Sequence, residues 1–351
     1  MEVVWLKRFY FLILSVIMLF SVGLPAFGGI GLGTRAMGMG GAFTAVADDE
    51  SAFYWNPAGI TQVRFASLMF GAGAQGEDLD FIKDTIDKIS DMEQLKPEDF
   101  EMGKGYLNLG LLGGLTTRYV GVNFYSETSI SVIRDTLTTL DLDASSFNYG
   151  TVTIAGKFRE KIAVGLNLKK VIAGIGEGRV RGLTNYTKYL DGDGIAYDIG
   201  ALYQLSDQVR FGFIARNLGG EIDCDGEKKN YGVGGTIDKI SQSIDLPRDY
   251  AVGVSYRPFK NTLLACDIQK CDARYPLTPE QTRFRIGFEQ TALWNIIALR
   301  LGAYTNKGDS MALTAGLGLN FGPLEMGVAG VREKFDGEEA NEVVVTAGFR
   351  F

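Results

Sequence analysis

From residue 65 to residue 351 the chain falls into fourteen stretches in which apolar and polar residues alternate. This two-residue period constrains the fold more than any other feature of the sequence. The stretches lie at about 65–74, 105–117, 119–133, 147–158, 161–173, 194–205, 208–217, 249–257, 261–270, 282–290, 296–305, 309–320, 323–332 and 342–351, with ends set to within a few residues. Ile162, Val164, Leu166 and Leu168 share one face, and Gly165, Asn167 and Lys169 the other. Val209, Phe211 and Phe213 oppose Arg210 and Arg216, and Phe284, Ile286 and Phe288 oppose Arg283, Arg285 and Glu289. One apolar and one charged face per strand suits a barrel with lipid outside and water inside. A soluble sandwich has the same period with its apolar face turned inward.

The connections separate these two folds. Residues 159–160, 206–207 and 258–260 are short links, whereas 134–146, 174–193 and 218–248 are long. Tight turns at one end and long loops at the other are the two ends of an outer-membrane barrel, and an even strand count puts both termini at the tight-turn end. The expected fold is an all-β transmembrane antiparallel barrel of about fourteen strands. Its last strand, EVVVTAGFRF, carries Val343, Val345, Ala347, Phe349 and Phe351 on one face. An alternating strand that ends on aromatics resembles the signal read by the barrel-assembly machinery, with Phe349 and Phe351 as the insertion signal.

The N-terminus fits export. Lys7 and Arg8 precede an apolar run from Phe9 to Leu24; Pro25 breaks it, and Ala26 and Gly28 supply the small residues of a cleavage site. Residues 1–28 therefore read as a signal peptide. No later segment offers eighteen uninterrupted apolar residues, and even Ile296–Tyr304 contains Arg300, so no spanning helix is expected. The 46 glycines are nearly twice the usual share, with 22 Phe, 15 Tyr and only 8 Pro, which suits long, curved, paired strands. A formal charge of −7 leaves no basic patch for nucleic acid. The three cysteines, Cys224, Cys266 and Cys271, are too few and odd in number for a disulfide framework. Histidine is absent, which removes Ser–His–Asp and Cys–His catalysis; no enzymatic activity, cofactor or metal is expected.

Between the signal and the first strand runs GLGTRAMGMGGAFTAVADDESAFYWNPAG, Gly31 to Gly59, too rich in glycine for a strand and too short for a domain. A fourteen-stranded barrel is wider than its own side chains can fill. Residues 29–63 are therefore expected to form a luminal plug and residues 64–351 the barrel, with Asn56-Pro57 turning the plug back toward the wall. In the first long connection, Leu79, Ile82, Ile86 and Ile89 recur at helical spacing, which predicts an amphipathic helix packed over the barrel mouth.

The run Gly31-Leu-Gly33, Asp48-Asp49 and Asn56-Pro57-Ala58 resembles the N-terminal hatch of the FadL/TodX-type transporters of long-chain fatty acids and hydrocarbons. The wording RAMGMGGAFTAVADD…YWNPAG is still more similar to their PorV/PorQ-like and TraF-like relatives. LPRDYAVGVSYRP and YDIGALYQLSDQVRFGFIARNLG fit the same superfamily. The resemblance implies a fourteen-stranded plugged barrel in the outer membrane, with Asp48, Asp49, Asn56, Pro57 and Ala58 as the plug motif. It also implies passive uptake of a hydrophobic small molecule; the alternative is a PorV-like scaffold or shuttle for secreted proteins that transports nothing. A soluble β-rich surface protein is the third reading.

Lys169, Arg210, Arg216, Arg283, Arg285 and Arg300 should face the lumen, where a carboxylate ligand would want one or two of them, unless Glu289 and Asp267 merely balance them. Asp48-Asp49-Glu50 reads as plug solvation or a cap for the following SAFYW segment. Three patterns are decoys. Gly31-Leu-Gly33-Thr-Arg-Ala36 follows a cleavage site and not a strand, so it is no dinucleotide loop. Asp191-Gly-Asp193-Gly194 and Asp223-Cys-Asp225-Gly226 lack the remaining calcium-loop ligands and read as loop turns. The expected surroundings are outer-membrane lipid, a hydrophobic ligand and, under the alternative, secreted proteins.

Overall fold

The computed structural model describes residues 32–63, 65–84, 102–136, 139–181, 184–231, 235–272, 280–306, 310–335 and 338–351. The signal read at 1–28, the first plug residues and the helical positions Ile86 and Ile89 lie outside them.

The strands are β1 (Ala66–Glu77), β2 (Gly103–Thr117), β3 (Val120–Thr136), β4 (Thr139–Phe158), β5 (Ile162–Arg181), β6 (Thr184–Gln204), β7 (Val209–Tyr231) and β8 (Ile237–Asp245). They continue as β9 (Asp249–Phe259), β10 (Thr262–Cys271), β11 (Gln281–Ala292), β12 (Ile297–Asn306), β13 (Ser310–Phe321), β14 (Leu324–Phe335) and β15 (Glu338–Arg350). Fourteen close into an antiparallel barrel. β15 pairs back onto β1 with Leu68 opposite Phe349, β6 pairs with β7, and the lower part of β7 pairs with β9. The fifteenth strand, β8, lies on the upper part of β7.

The two-residue period builds the wall as expected. On β5, Ile162, Val164, Leu166 and Leu168 are exposed on the outside, while Ala163, Asn167 and Lys169 are buried inside. On β11, Phe284 and Ile286 face out, and Arg285 and Glu289 face in. Outward apolar residues continue around the barrel, for example Val122, Phe213, Val252, Leu301 and Val345. At the tight-turn end, Tyr119, Phe158, Tyr203, Phe259, Phe321 and Phe351 are exposed and form an aromatic girdle. An outward apolar band bordered by aromatics is the surface a membrane-spanning barrel shows to lipid. Phe349 and Phe351 belong to it, their rings 5.3 Å apart.

Three expectations are corrected. The connections read as loops at 134–146, 174–193 and 218–248 are mostly paired strand: β4 and β5 have 20 residues each, β6 has 21 and β7 has 23. Since about ten tilted residues cross a bilayer, these strands stand roughly as far again above it. Strands β9 to β15 have only 10 to 13 residues, so the wall has a tall half and a short half. The strand β8 was not read from the sequence at all. Lastly, the helical residues 79–84 do not cover the mouth. Phe81 and Ile82 pack against Ile130, Val132, Leu140, Ala144 and Val180, whose strand positions alternate with the inward Tyr125, Phe147 and Ile175. The helix therefore lies on the outer surface of the tall half, with Phe81 and Ile82 also against the outward Gly103 and Gly105 of β2.

Candidate functional site: the plug, the wall that grips it and the layer above

Residues 32–63 fold inside the lower barrel as two short helices, α1 (Thr34–Gly38) and α2 (Ala52–Trp55), followed by a 3-10 turn over Pro57–Gln62. Gly40 and Gly41, with φ of 65° and 70°, turn the chain after α1 where a side chain would be strained. The Asp49 carboxylate accepts from the Ser51 N–H at 2.9 Å and its hydroxyl at 2.5 Å, starting the turn into α2. Asp49 thus shapes the turn that leads into α2, whose N-cap is Ser51. The Trp55 indole donates to the Leu32 carbonyl at 2.7 Å and ties the two ends of the plug together.

Asn56-Pro57-Ala58 is the joint between plug and wall. Asn56 is fully buried and extended; its Oδ1 accepts from the Ala58 N–H at 3.2 Å, and Pro57 opens the 3-10 turn without needing a donor. Its Nδ2 lies 2.8 Å from the Thr44 carbonyl, 3.1 Å from that of Ala201 on β6 and 3.3 Å from that of Phe213 on β7. One amide therefore bridges plug and two strands. Gly165 and Gly200 make room for it: a Cβ on either would overlap Pro57, Ala58 or the Asn56 amide. Gly212 on β7 and Gly302 on β12 admit the plug backbone at Thr44 and Gly40 in the same way. Much of the glycine excess thus lies where the two backbones meet.

The six cations chosen from the sequence as ligand contacts are all on inward strand positions, and most grip the plug. Arg210 donates to the carbonyls of Ala45 at 2.6 Å and Val46 at 2.5 Å. Arg216 donates to Tyr54 at 2.9 Å and Trp55 at 3.1 Å, pairs with Asp249 at 2.5 Å and lies over the Tyr54 ring. Arg285 donates to the Gly41 carbonyl at 3.1 Å. Arg300 and plug residue Arg35 share Glu289, Arg35 in a bidentate pair at 2.7 and 2.8 Å and Arg300 at 2.8 Å. Lys169, 1 % exposed, pairs with Asp198 at 2.6 Å and donates to Asn217. Lys169 thus meets wall residues, and Arg283 likewise stands off the plug, over the Tyr304 ring near the upper end of the short half.

Several gripping residues carried no signal of their own. Asp267 accepts the N–H groups of Phe43 and Thr44 at 2.9 and 2.8 Å. Asn167 donates to the Phe53 carbonyl at 2.7 Å, and Glu50 pairs with Arg350 on the last strand. Their inward register could be read from the period, but not their partners, which lie more than 100 residues away. Asp48 pairs with Arg35 and lies near Arg210 and Arg257. Burial pushes its carboxyl up, but the three guanidiniums outweigh that and hold it at about 2. Burial pushes the Asp49 carboxyl up, against Arg35.

Above the plug the lumen is lined by apolar and aromatic groups. Tyr54 on the plug meets Tyr125 edge-on at 5.3 Å, and Tyr125 stacks on Tyr149 at 4.2 Å. Phe147, Val171, Ile175, Leu190, Ile222 and Ile244 continue this layer up the tall half, and all are buried. At the same level the wall is interrupted. Above Glu221, β7 pairs with β8; below Arg216 it pairs with β9; Asn217–Gly220 bulges opposite residues 246–248. The β6–β7 ladder also slips twice, between Ile195 and Ile199. Asn217 and Gly219 hold φ of 58° and 60°, and Asn217 closes the break by donating to the Pro247 carbonyl at 2.8 Å.

The two calcium-like fragments are not loop turns. They lie in the β6–β7 ladder, with Asp191 opposite Asp225 and Asp193 opposite Asp223. No group of three or more His, Cys, Asp or Glu among the described residues could hold a metal ion.

No family model and no curated protein matches the sequence. Solved structures do. The toluene transporter TbuX of Ralstonia pickettii is 13 % identical, with a TM-score of 0.66 over 94 % of this chain and 99 % of that one. The monoaromatic hydrocarbon channel CymD is 14 % identical, with a TM-score of 0.64 over 93 % and 99 %. A Pseudomonas aeruginosa FadL homologue is 10 % identical, with a TM-score of 0.66 over 93 % and 100 %. At these identities the shared property is the fold.

Proposed function

We infer that the chain is an outer-membrane channel for the passive uptake of hydrophobic substrates such as long-chain fatty acids or hydrocarbons. The observation that carries this reading is the apolar layer from Tyr54 to Ile244 inside the barrel. A barrel that conducts water-soluble solutes keeps its interior polar, so apolar lining above a plug suits a ligand that leaves water. The structures similar in fold include a toluene transporter and a monoaromatic hydrocarbon channel, which supports the same substrate class.

In this reading ligand enters between the tall walls, partitions into the apolar layer and meets the plug at Tyr54–Asn56. It then leaves through the wall, at the break where β7 passes from β8 to β9 and the β6–β7 register slips, or through the lumen past a displaced plug. Movement runs down a concentration gradient and involves no covalent step. The partners are membrane lipid and the ligand, with Phe349 and Phe351 presented to the assembly machinery on insertion.

The test is uptake of labelled toluene and of a labelled long-chain fatty acid by cells with and without the gene. Deletion should slow at least one of them, and the wild-type gene should restore it. Unchanged uptake of both would sink the reading; unchanged uptake with loss of secreted surface proteins would establish the scaffold alternative.

A further inference from the structure

On the periplasmic side of the plug a cavity of about 260 Å³ opens against the lower ends of the short half. Its walls carry five cations, Arg35, Arg257, Lys260, Arg300 and Arg350, against three carboxylates, Asp48, Glu289 and Glu325. Three of the cations are committed: Arg35 and Arg300 to Glu289, and Arg350 to Glu325 and Glu50. The other two are not. Arg257 comes no nearer to Asp48 than 3.7 Å, beyond hydrogen-bond distance, and its side chain is 44 % exposed. Lys260, on the turn after β9, has no carboxylate within ion-pair distance among the described residues. The cavity therefore holds one loosely paired guanidinium, Arg257, and one ammonium, Lys260, without a carboxylate partner, beside a plug carboxylate.

We propose that this cavity is a carboxylate subsite at the periplasmic exit, in which Arg257 and Lys260 take the headgroup of an amphipathic acid in competition with Asp48. The inference rests on the uptake reading for the origin of its ligand. A guanidinium and an ammonium on one rim suit a carboxylate through charge-assisted hydrogen bonds. Apart from Leu263 and Ala298 the lining is polar, so the cavity takes the headgroup and leaves the tail at its open mouth. Asp48 already occupies the third side of the cation cluster, so an arriving carboxylate loosens its hold on Arg257 and weakens one of the plug's attachments.

The experiment is calorimetric titration of hexanoate, with hexanol as the uncharged control, into the full chain in lipid nanodiscs, with empty nanodiscs as blank. The wild type should bind hexanoate and not hexanol. The double variant Arg257→Gln/Lys260→Gln changes two accessible side chains and should bind hexanoate about tenfold or more weakly. Asp48→Asn removes the competing carboxylate and should bind hexanoate more tightly. Absence of hexanoate binding to the wild type, equal binding of hexanol, or an unchanged affinity in the double variant overturns the subsite. An Asp48→Asn affinity that does not rise overturns the competition. If even the wild type takes up no toluene or fatty acid in cells, the channel reading falls, while the titration still decides the subsite.

Discussion

The two halves of the barrel hold the same plug by different physics. The tall half receives it largely by shape: the Asn56-Pro57-Ala58 turn sits against Gly165 and Gly200, and Arg210 and Arg216 donate to plug carbonyls. The short half adds charge to a close fit of its own at Gly302: Asp267 accepts two plug N–H groups, Glu289 pairs with Arg35, and Arg350 pairs with Glu50. The apolar layer and the wall break both belong to the tall half. Close backbone contact responds steeply to volume and little to pH, whereas ion pairs do the reverse. The plug therefore has one edge sensitive to sterics and one sensitive to protonation.

The largest effect should come from the residue that joins both modes. Arg216→Ala leaves Asp249 buried without its partner and frees the Tyr54 and Trp55 carbonyls, for a loss of about 3–5 kcal/mol. The buried Trp55 reports it, and its emission should move to the red at a much lower urea concentration than in the wild type. An unchanged midpoint would show that the plug does not depend on this arginine. Next, Gly165→Val drives a side chain into Pro57 and should cost about 1–3 kcal/mol by the same fluorescence, without altering the pH dependence. A pH-dependent loss would contradict the steric account.

On the charged side, Asp267→Asn keeps an acceptor but removes its charge, and should cost about 1–2 kcal/mol. A loss as large as that of Arg216→Ala would reverse the ranking of the two halves. The smallest effect concerns Asp48. Its carboxyl is held at about 2, below the ordinary value of about 3.9, so its contribution is fully present above about pH 4 and is lost as pH falls through 4 toward 2. Trp55 emission should report no loss from this group between pH 8 and 5, and Asp48→Asn should make the acid limb shallower. An acid limb identical to the wild type would remove Asp48 from the latch.

The halves also differ in how far they could be read in advance. Strands β9 to β15 match the predicted stretches closely, because nearly every residue there has lipid on one side and lumen on the other. The upper parts of β4 to β8, such as EIDCDGEKKN and β8, stand above the membrane, with a polar outward face (Glu221, Asp223, Asp225) and an apolar inward one (Ile222, Cys224, Ile244). Without lipid outside, the outward positions are polar and charged, so the segment as a whole is polar and paired strand looks like loop. Leu79 and Ile82 showed that a helix would form and needed an apolar surface, but their spacing could not say whether that surface lay over the mouth or on the outer wall.

What the sequence determined by itself was local: which residues alternate, which face each takes, where the tight turns fall, and that a glycine-rich segment precedes the first strand. These follow from the period of a strand and the chemistry of lipid and water. Which wall residue meets which plug residue was decided only by closure of the barrel, which brings Asp267 to Phe43 and Glu289 to Arg35 across more than 200 residues. That same closure turned the inward arginines from free ligand contacts into plug anchors, because a buried cation takes the nearest carbonyl or carboxylate that the fold supplies.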